Sequence, residues 1–280
     1  MPSDTNDQNR DDSNDAGASQ LAAVTGASSG IGLELARVFA KNGFDLFIIA
    51  EDAGIDAAAD DLRATGARVD AIRADLATGQ GVRDVYERMA TLGRPIDVMA
   101  INAGVGVGGP FVENSLEEEL NLINLNVVST VVLAKLVLRD MVQRNHGRVL
   151  FTSSIAADMP APFEAVYGAS KAFIQSFAEA VRNELKDTNV TITALQPGAT
   201  DTNFFHRAHM EDTKVGAGKK DDPADVARDA YDALMAGKDH VVAGSFKNKA
   251  QDTMAKFVPE TTAAEQHRKE SEPGSASDAR

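Results

Sequence analysis

The feature that most limits what this chain can fold into is an alternation of two periods. Strand-length apolar runs at Leu21 to Thr25, Asp45 to Ala50, Arg68 to Arg73, Ile96 to Asn102, Arg148 to Ser153, Thr191 to Gln196 and His240 to Ala243 alternate with helical stretches. In these the apolar residues recur every three or four positions, as in Ile31, Leu35, Val38 and Phe39, or Val132, Leu133, Leu136 and Val137. Strands joined through helices need crossover connections. This predicts an α/β fold, a doubly wound parallel sheet of about seven strands with helices on both faces. In such sheets a ligand binds beyond the carboxyl ends of the strands, where the chain order switches sides.

Composition removes other classes. The 280 residues carry a formal charge of −14 and contain no cysteine. Disulfides and thiolate metal sites are therefore excluded, an acidic surface argues against a nucleic-acid partner, and the cytoplasm is the expected compartment. The longest nearly apolar run, Val127 to Leu138, contains Lys135 and falls short of the ~18 uninterrupted residues of a spanning helix, so a buried amphipathic helix and no membrane association are expected. Residues 1–19, with Asp4, Asp7, Asp11, Asp12 and Asp15 against Arg10, read as a disordered acidic tail. Residues 20–258 contain no repeat or internal linker and read as one domain. Residues 259–280, with Glu265, Arg268, Lys269, Glu270 and Glu272 ahead of Pro273, read as a charged and largely flexible tail.

The first strand runs through Thr25, Gly26, Ala27, Ser28, Ser29, Gly30, Ile31 and Gly32 straight into a helix. Glycines there allow a tight turn and close approach of a pyrophosphate, and the helix N-terminus offers unpaired N–H groups to an anion. The spacing is G-x-x-x-G-x-G, not G-x-G-x-x-G. It resembles the T-G-x-x-x-G-x-G of the short-chain dehydrogenase/reductase family, in its single-domain form of about 250 residues. The resemblance implies a Rossmann-type fold and a nicotinamide dinucleotide held by Gly26, Ser28, Ser29, Gly30, Ile31 and Gly32. It extends to Asn102, Ala103 and Gly104, which keep the last three residues of the family's Asn-Asn-Ala-Gly, with Ile101 in place of the first. Asp75, followed by Leu76, takes the place of the family's adenine contact, although a carboxylate there is equally a helix cap or loop residue.

The end of the second strand, where the adenosine ribose is read, offers Ala50, Glu51 and Asp52 with no Arg or Lys beside them. A 2′-phosphate dianion would be repelled there, so NAD is expected in preference to NADP, with Glu51 as the discriminating group. Glu51 pointing into water is the alternative.

Tyr167 and Lys171 form Y-x-x-x-K, and an i, i+4 spacing puts phenol and ammonium on one helix face. Alone such a pair is usually structural. Ser154, at the end of a strand and thirteen residues before Tyr167, matches the family's spacing of catalytic Ser and Tyr. The phenol would take a proton from an alcohol or give one to a carbonyl, with Lys171 lowering its pKa from about 10 and Ser154 stabilising charge on the reacting oxygen. The resemblance further implies that Lys171 holds the nicotinamide ribose together with Tyr167. It implies that Asn126 bends its helix and holds a proton-relaying water, though Asn is also a common N-cap where the helix to Met141 is expected to open. Pro197, Gly198 and Thr202 resemble P-G-x-x-x-T, whose Thr meets the carboxamide.

Met159, Phe163, Phe204 and Phe205 suggest a moderately apolar substrate pocket, with core packing as the alternative, and Asn203 to Asp222 reads as a closing loop. Gly104, Gly106, Gly108 and Gly109 read as a mobile loop. His206 and His209 invite a metal with Glu211 and Asp212, but the chemistry needs none and none is expected. The expected activity is NAD-dependent hydride transfer between an alcohol and a carbonyl compound, the alternative a non-catalytic nucleotide-binding or redox-sensing protein. The resemblance also implies a homodimer or homotetramer packed through helices at Asn126 to Arg144 and Glu164 to Lys186.

Overall fold

β1 (Leu21–Thr25) and β2 (Asp45–Ala50) are buried at every residue, as strands covered on both faces must be. The computed structural model describes residues 19–244 and 259–279. The expected acidic tail, 1–19, lies outside the described residues except for Ser19. With β3 (Val69–Arg73), β4 (Val98–Ile101), β5 (Gly147–Thr152), β6 (Val190–Pro197) and β7 (His240–Ala243) the strands form a seven-stranded, wholly parallel sheet in the order β3-β2-β1-β4-β5-β6-β7. The order reverses between β1 and β4, and the crevice at their carboxyl ends is the switch point.

Side chains alternate between two apolar layers. Leu46, Ile48, Val98 and Leu150 face Leu35 and Phe39 of α1 (Gly30–Lys41), Ile55 and Leu62 of α2 (Gly54–Arg63), and Val226 and Ala230 of the helix at Pro223–Met235. Phe47, Ile49, Met99 and Phe151 face Val85 of α3 (Gly79–Thr91), together with Leu133, Val137, Ile174 and Ala178 from two long helices.

The first of these long helices is continuous. α4 (Leu116–Ile123) passes through a π-turn at Asn124–Ser129 into α5 (Thr130–Arg144), so Asn126 lies mid-helix and does not open one. Local sequence hides this because a π-turn breaks the apolar period it interrupts. Joined, Leu116–Arg144 is long and apolar enough to cross a membrane by length and composition, but Leu133, Ala134, Val137, Leu138 and Met141 pack into the core. The second is α6 (Ala165–Glu184). Two short helices, α7 (Phe204–Arg207) and α8 (Lys214–Ala217), precede α9 (Pro223–Met235), which starts where the Asp222 carboxylate accepts the Ala224 N–H and Pro223 occupies the first turn.

The segment expected to be a flexible tail is helical. α10 (Glu260–Ser271) is followed by a short 3₁₀ turn at Ser275–Ala279. Its order comes from distant partners: the Asp212 carboxylate accepts the Gly274 N–H at 2.8 Å, the Ser275 hydroxyl accepts the Lys214 N–H at 2.9 Å, and Lys214 pairs with Glu270 at 3.2 Å. A window of charged sequence cannot show contacts of that range.

At the opposite edge, burial pushes the Asp45 carboxyl up, but hydrogen bonds from Arg68 and Arg94 outweigh it and hold it below its ordinary value of 3.8. Its contribution is full above 3.8 and is lost as the pH falls through the lower folded value. Asp45→Asn should cost ~1–3 kcal/mol at neutral pH, by urea unfolding, and the difference from wild type should shrink below pH ~4.

Candidate active site

The carboxyl ends of β1, β4 and β5 are stitched into one edge. The Thr25 hydroxyl accepts the N–H groups of Asn102 and Ala103, each at 2.9 Å. The Asn102 amide donates to the Thr25 carbonyl at 3.1 Å, and Thr152 Oγ1 donates to Asn102 Oδ1 at 3.1 Å. Gly32, in the first turn of α1, presses on this edge: a Cβ there would stand 2.1 Å from the Gly26 carbonyl oxygen and 2.7 Å from Asn102 Nδ2. Only glycine lets the helix N-terminus come this close to the strand end.

A cavity of about 1350 Å³ runs along this edge, from Glu51, Ala74 and Leu76 past the glycine turn to Tyr167 and Pro197. That exceeds the ~300–1,000 Å³ of a pocket for one small ligand and leaves room for a dinucleotide beside a substrate. The glycine cradle and the two-ended cavity fit such a cofactor. Of the expected catalytic, cofactor and substrate-pocket residues, Asp75, Asn126 and Phe163 stand off the cavity wall. The Asp75 carboxylate accepts the Ala77 N–H at 2.9 Å and shapes its own turn. Phe163, at φ +65°, offers its ring to Arg268 at 4.9 Å. Met159, Phe204 and Phe205 do line the cavity, Phe204 with its ring centroid 5.1 Å from that of Tyr167.

Asn126 acts from behind the wall. Its Oδ1 accepts the Val105 N–H at 3.0 Å, and its Nδ2 donates to the Val105 carbonyl at 2.9 Å and to Ser170 Oγ at 3.0 Å. The π-turn aims this fully buried amide sideways, where it fastens the chain after β4 to α6. The expected mobile loop is thereby tied down at its start. Farther along, the glycines serve contact and not mobility: a Cβ at Gly106 would meet the Phe204 ring at 2.5 Å, one at Gly108 would meet Met210 at 2.3 Å, and the Gly108 N–H donates to Ala208 at 2.9 Å.

Tyr167 and Lys171 are buried on α6, with the Lys171 Nζ 5.7 Å from the centre of the Tyr167 ring and donating to the Thr152 carbonyl at 2.9 Å. Burial pushes the phenol well above its ordinary value, the Ser154 hydrogen bond opposes this, and the Glu164 charge adds to it. Burial also lowers Lys171 to about 8. In the protein by itself burial thus carries the phenol above its ordinary value, in the opposite direction to the lowering expected of Lys171.

The ribose-reading end differs from expectation as well. Arg207, on α7, forms an ion pair with Glu51 across the cleft, so a cation does stand at the end of β2. Asp52 is occupied by the Ser28 hydroxyl at 2.7 Å and the Gly54 N–H at 2.8 Å. Nothing in local sequence marks Arg207, which lies 156 residues from Glu51. Glu164, His267 and Ser271, which also line the cavity, escape sequence reasoning for the same reason. His209 stands 3.6 Å from Glu118. Among the described residues no group of three or more side chains is arranged to hold a metal ion.

Comparison with known proteins decides the family. Residues 20–212 match the model of the short chain dehydrogenases. The chain belongs to that family. It is an oxidoreductase acting on CH–OH groups with NAD or NADP as acceptor. Among its short-chain dehydrogenase relatives, the oxidoreductase UcpA of Salmonella typhimurium is 32% identical over 216 residues, covering 77% of this chain and 80% of the relative. A short-chain dehydrogenase from Sphingobium yanoikuyae, solved in complex with NADPH, is 30% identical with a TM-score of 0.75, covering 80% of this chain and 87% of that one. A short-chain dehydrogenase/reductase from Burkholderia phymatum, solved with NAD, shares the fold at 23% identity and a TM-score of 0.77, over 91% of this chain and 97% of that one.

The close approach at Gly32 gives a direct test. Gly32→Ala should weaken NADH binding ~10-fold or more, measured by fluorescence titration, because its methyl group must push α1 off the edge it shares with Asn102.

Proposed function

We propose that this short-chain dehydrogenase interconverts a secondary alcohol and a ketone, or a primary alcohol and an aldehyde, with Tyr167 as the general acid and base. The observation that carries this reading is the meeting of Ser154, Tyr167 and Lys171 with the glycine turn in the lining of one cavity, Ser154 hydrogen-bonding the phenol. When bound, the dinucleotide supplies the hydride acceptor for oxidation and the hydride donor for reduction. Gly26, Gly30 and Gly32 cradle its phosphates, Pro197, Gly198 and Thr202 flank its nicotinamide end, and Lys171 holds the adjoining ribose.

The residues divide the remaining work. Ser154 Oγ donates a hydrogen bond to the reacting oxygen and stabilises the charge that develops there. In reduction the Tyr167 hydroxyl gives its proton to that oxygen; in oxidation the phenolate takes it back. The raised phenol and the Lys171 ammonium mean that the protein by itself holds its proton at neutral pH, ready to act as an acid. Phe204 and Met159 give the substrate side an apolar wall. Ketone reduction should accordingly hold up to pH ~8 and decline above it as Lys171 loses its charge, read from the pH profile of NADH oxidation.

NAD(H) is the proposed cofactor. Two guanidinium groups stand at the end of β2, but Glu51 engages both: its carboxylate pairs with Arg207 and its carbonyl accepts from Arg73 Nε at 2.9 Å, so a 2′-phosphate would have to displace Glu51 and meet the Asp52 carboxylate beside it. A homo-oligomer is also proposed. Leu120, Val128, Val131 and Val132 on the long helix, with Phe173 on α6, leave an exposed apolar face that suits a second copy.

The deciding experiment is turnover of an alcohol and ketone panel by wild type and Tyr167→Phe, with titration of both reduced cofactors. Tyr167→Phe should lose at least ~100-fold in turnover while keeping cofactor binding. NADH should bind more tightly than NADPH, with Glu51→Ala narrowing the gap and Arg207→Ala widening it. Full turnover by Tyr167→Phe would remove the mechanism, and tighter NADPH the cofactor reading.

A further inference from the structure

A buried carboxylate stands one helical turn before Tyr167, and nothing in the reaction just described uses it. Glu164 is the N-cap residue of α6, three residues ahead of the tyrosine, and its charge acts on the phenol. It is 5% exposed and lines the cavity. Removing an ionised carboxylate from water is costly unless it is paired and hydrogen-bonded. Its partners come from α10, outside the region that matches the family model: Ser271 Oγ donates to Glu164 Oε2 at 2.9 Å, and His267 Nε2 stands 3.0 Å from the same oxygen. The His267 side chain is itself only 11% exposed, so this is an enclosed cluster and not a surface pair.

The other charged groups around it are engaged elsewhere. Arg268 lies over the Phe163 ring and pairs with Glu272, and Lys214 is held by Glu270. Asp212 accepts a backbone N–H, and Asp158 accepts from Gln196. Lys171, two turns into α6, is held by the Thr152 carbonyl, and Lys269 lines the cavity rim. Of the groups that can carry a positive charge, His267 is the one in hydrogen-bonding contact with Glu164 among the described residues.

We propose that His267, acting through Glu164, is a positioning residue for Tyr167: its proton cancels the buried negative charge beside the phenol and so governs how readily the phenol ionises. The inference rests on Tyr167 being the acid–base group. With the His267 proton in place the pair is neutral, and the Ser154 hydrogen bond acts on Tyr167 with no buried negative charge opposing it. Without it the carboxylate charge opposes phenolate formation, which hinders alcohol oxidation and spares ketone reduction. After burial, and against the Ser154 hydrogen bond, the Glu164 charge is the remaining cause that holds the phenol high. α10 thus lines the cleft and also sets the electrostatics of the reacting group.

The test uses the full chain with His267→Gln, which keeps a neutral donor to Glu164, Glu164→Gln, which keeps an acceptor for Ser271, and the double variant. Two readouts are followed: the pH profile of kcat/KM for oxidation of whichever panel alcohol wild type turns over, and the ζ-carbon NMR shift of ¹³C-labelled tyrosine in the protein without cofactor. The chain has three tyrosines, and Tyr167→Phe assigns the signal. His267→Gln should move the rising limb of oxidation, on which the phenolate forms, up by ~1 pH unit, and Glu164→Gln should move it down by a similar amount. The double variant should follow Glu164→Gln, and in the NMR titration Glu164→Gln should begin to ionise at lower pH than wild type. Profiles that overlay wild type at reduced kcat would make the cluster purely structural and overturn the proposal. So would a double variant that follows His267→Gln. If Tyr167→Phe itself keeps wild-type turnover, it is the acid–base reading that fails.

Discussion

The architecture depends on how closely the turn after β1 is held to the end of β4. Thr25 and Asn102 bond through both backbone and side chain, and Gly32 brings the first turn of α1 against them with no room for a methyl group. That contact keeps the crevice at the strand reversal open, with helix N–H groups facing one side and the end of β5 the other. Thr152, which donates to Asn102, also offers its carbonyl to Lys171. The cofactor cradle and the catalytic helix are therefore fastened to the same strand edge, and neither can shift without the other.

Burial governs the chemistry at that edge. Water is excluded from Tyr167 and Lys171, so both neutral forms are favoured: the phenol goes up and the ammonium comes down. The same low polarity gives the nearby charges of Glu164 and Lys171 a leverage they would lose in water. Asn126 supplies the rigidity this requires. By spending its whole amide on Val105 and Ser170, it locks the chain after β4 to the helix that carries the tyrosine.

Much of the fold was legible in the sequence because strand and helix periods are local. β1, β2 and β7 occupy the residues that their apolar runs marked, and the other strands differ by a residue or two at their ends, where bonds such as that from the Leu21 N–H to the Asp97 carboxylate replace ladder pairing. The long helix was misread at its start because a π-turn shifts the apolar stripe. Within the 259–280 segment, the helix at Glu260–Ser271 and the turn after it were missed because their order depends on Asp212, Lys214 and Glu164, none of which is near them in the chain.

The sequence by itself determined the sheet, the glycine turn and the family motifs, since each is written in residues a few positions apart and follows from local sterics and periodicity. Tertiary structure alone decided where charge sits around them. Arg207 at Glu51 and His267 at Glu164 are pairings between segments more than a hundred residues apart. Electrostatic energy depends on distance and burial, and neither quantity exists until the chain has closed on itself.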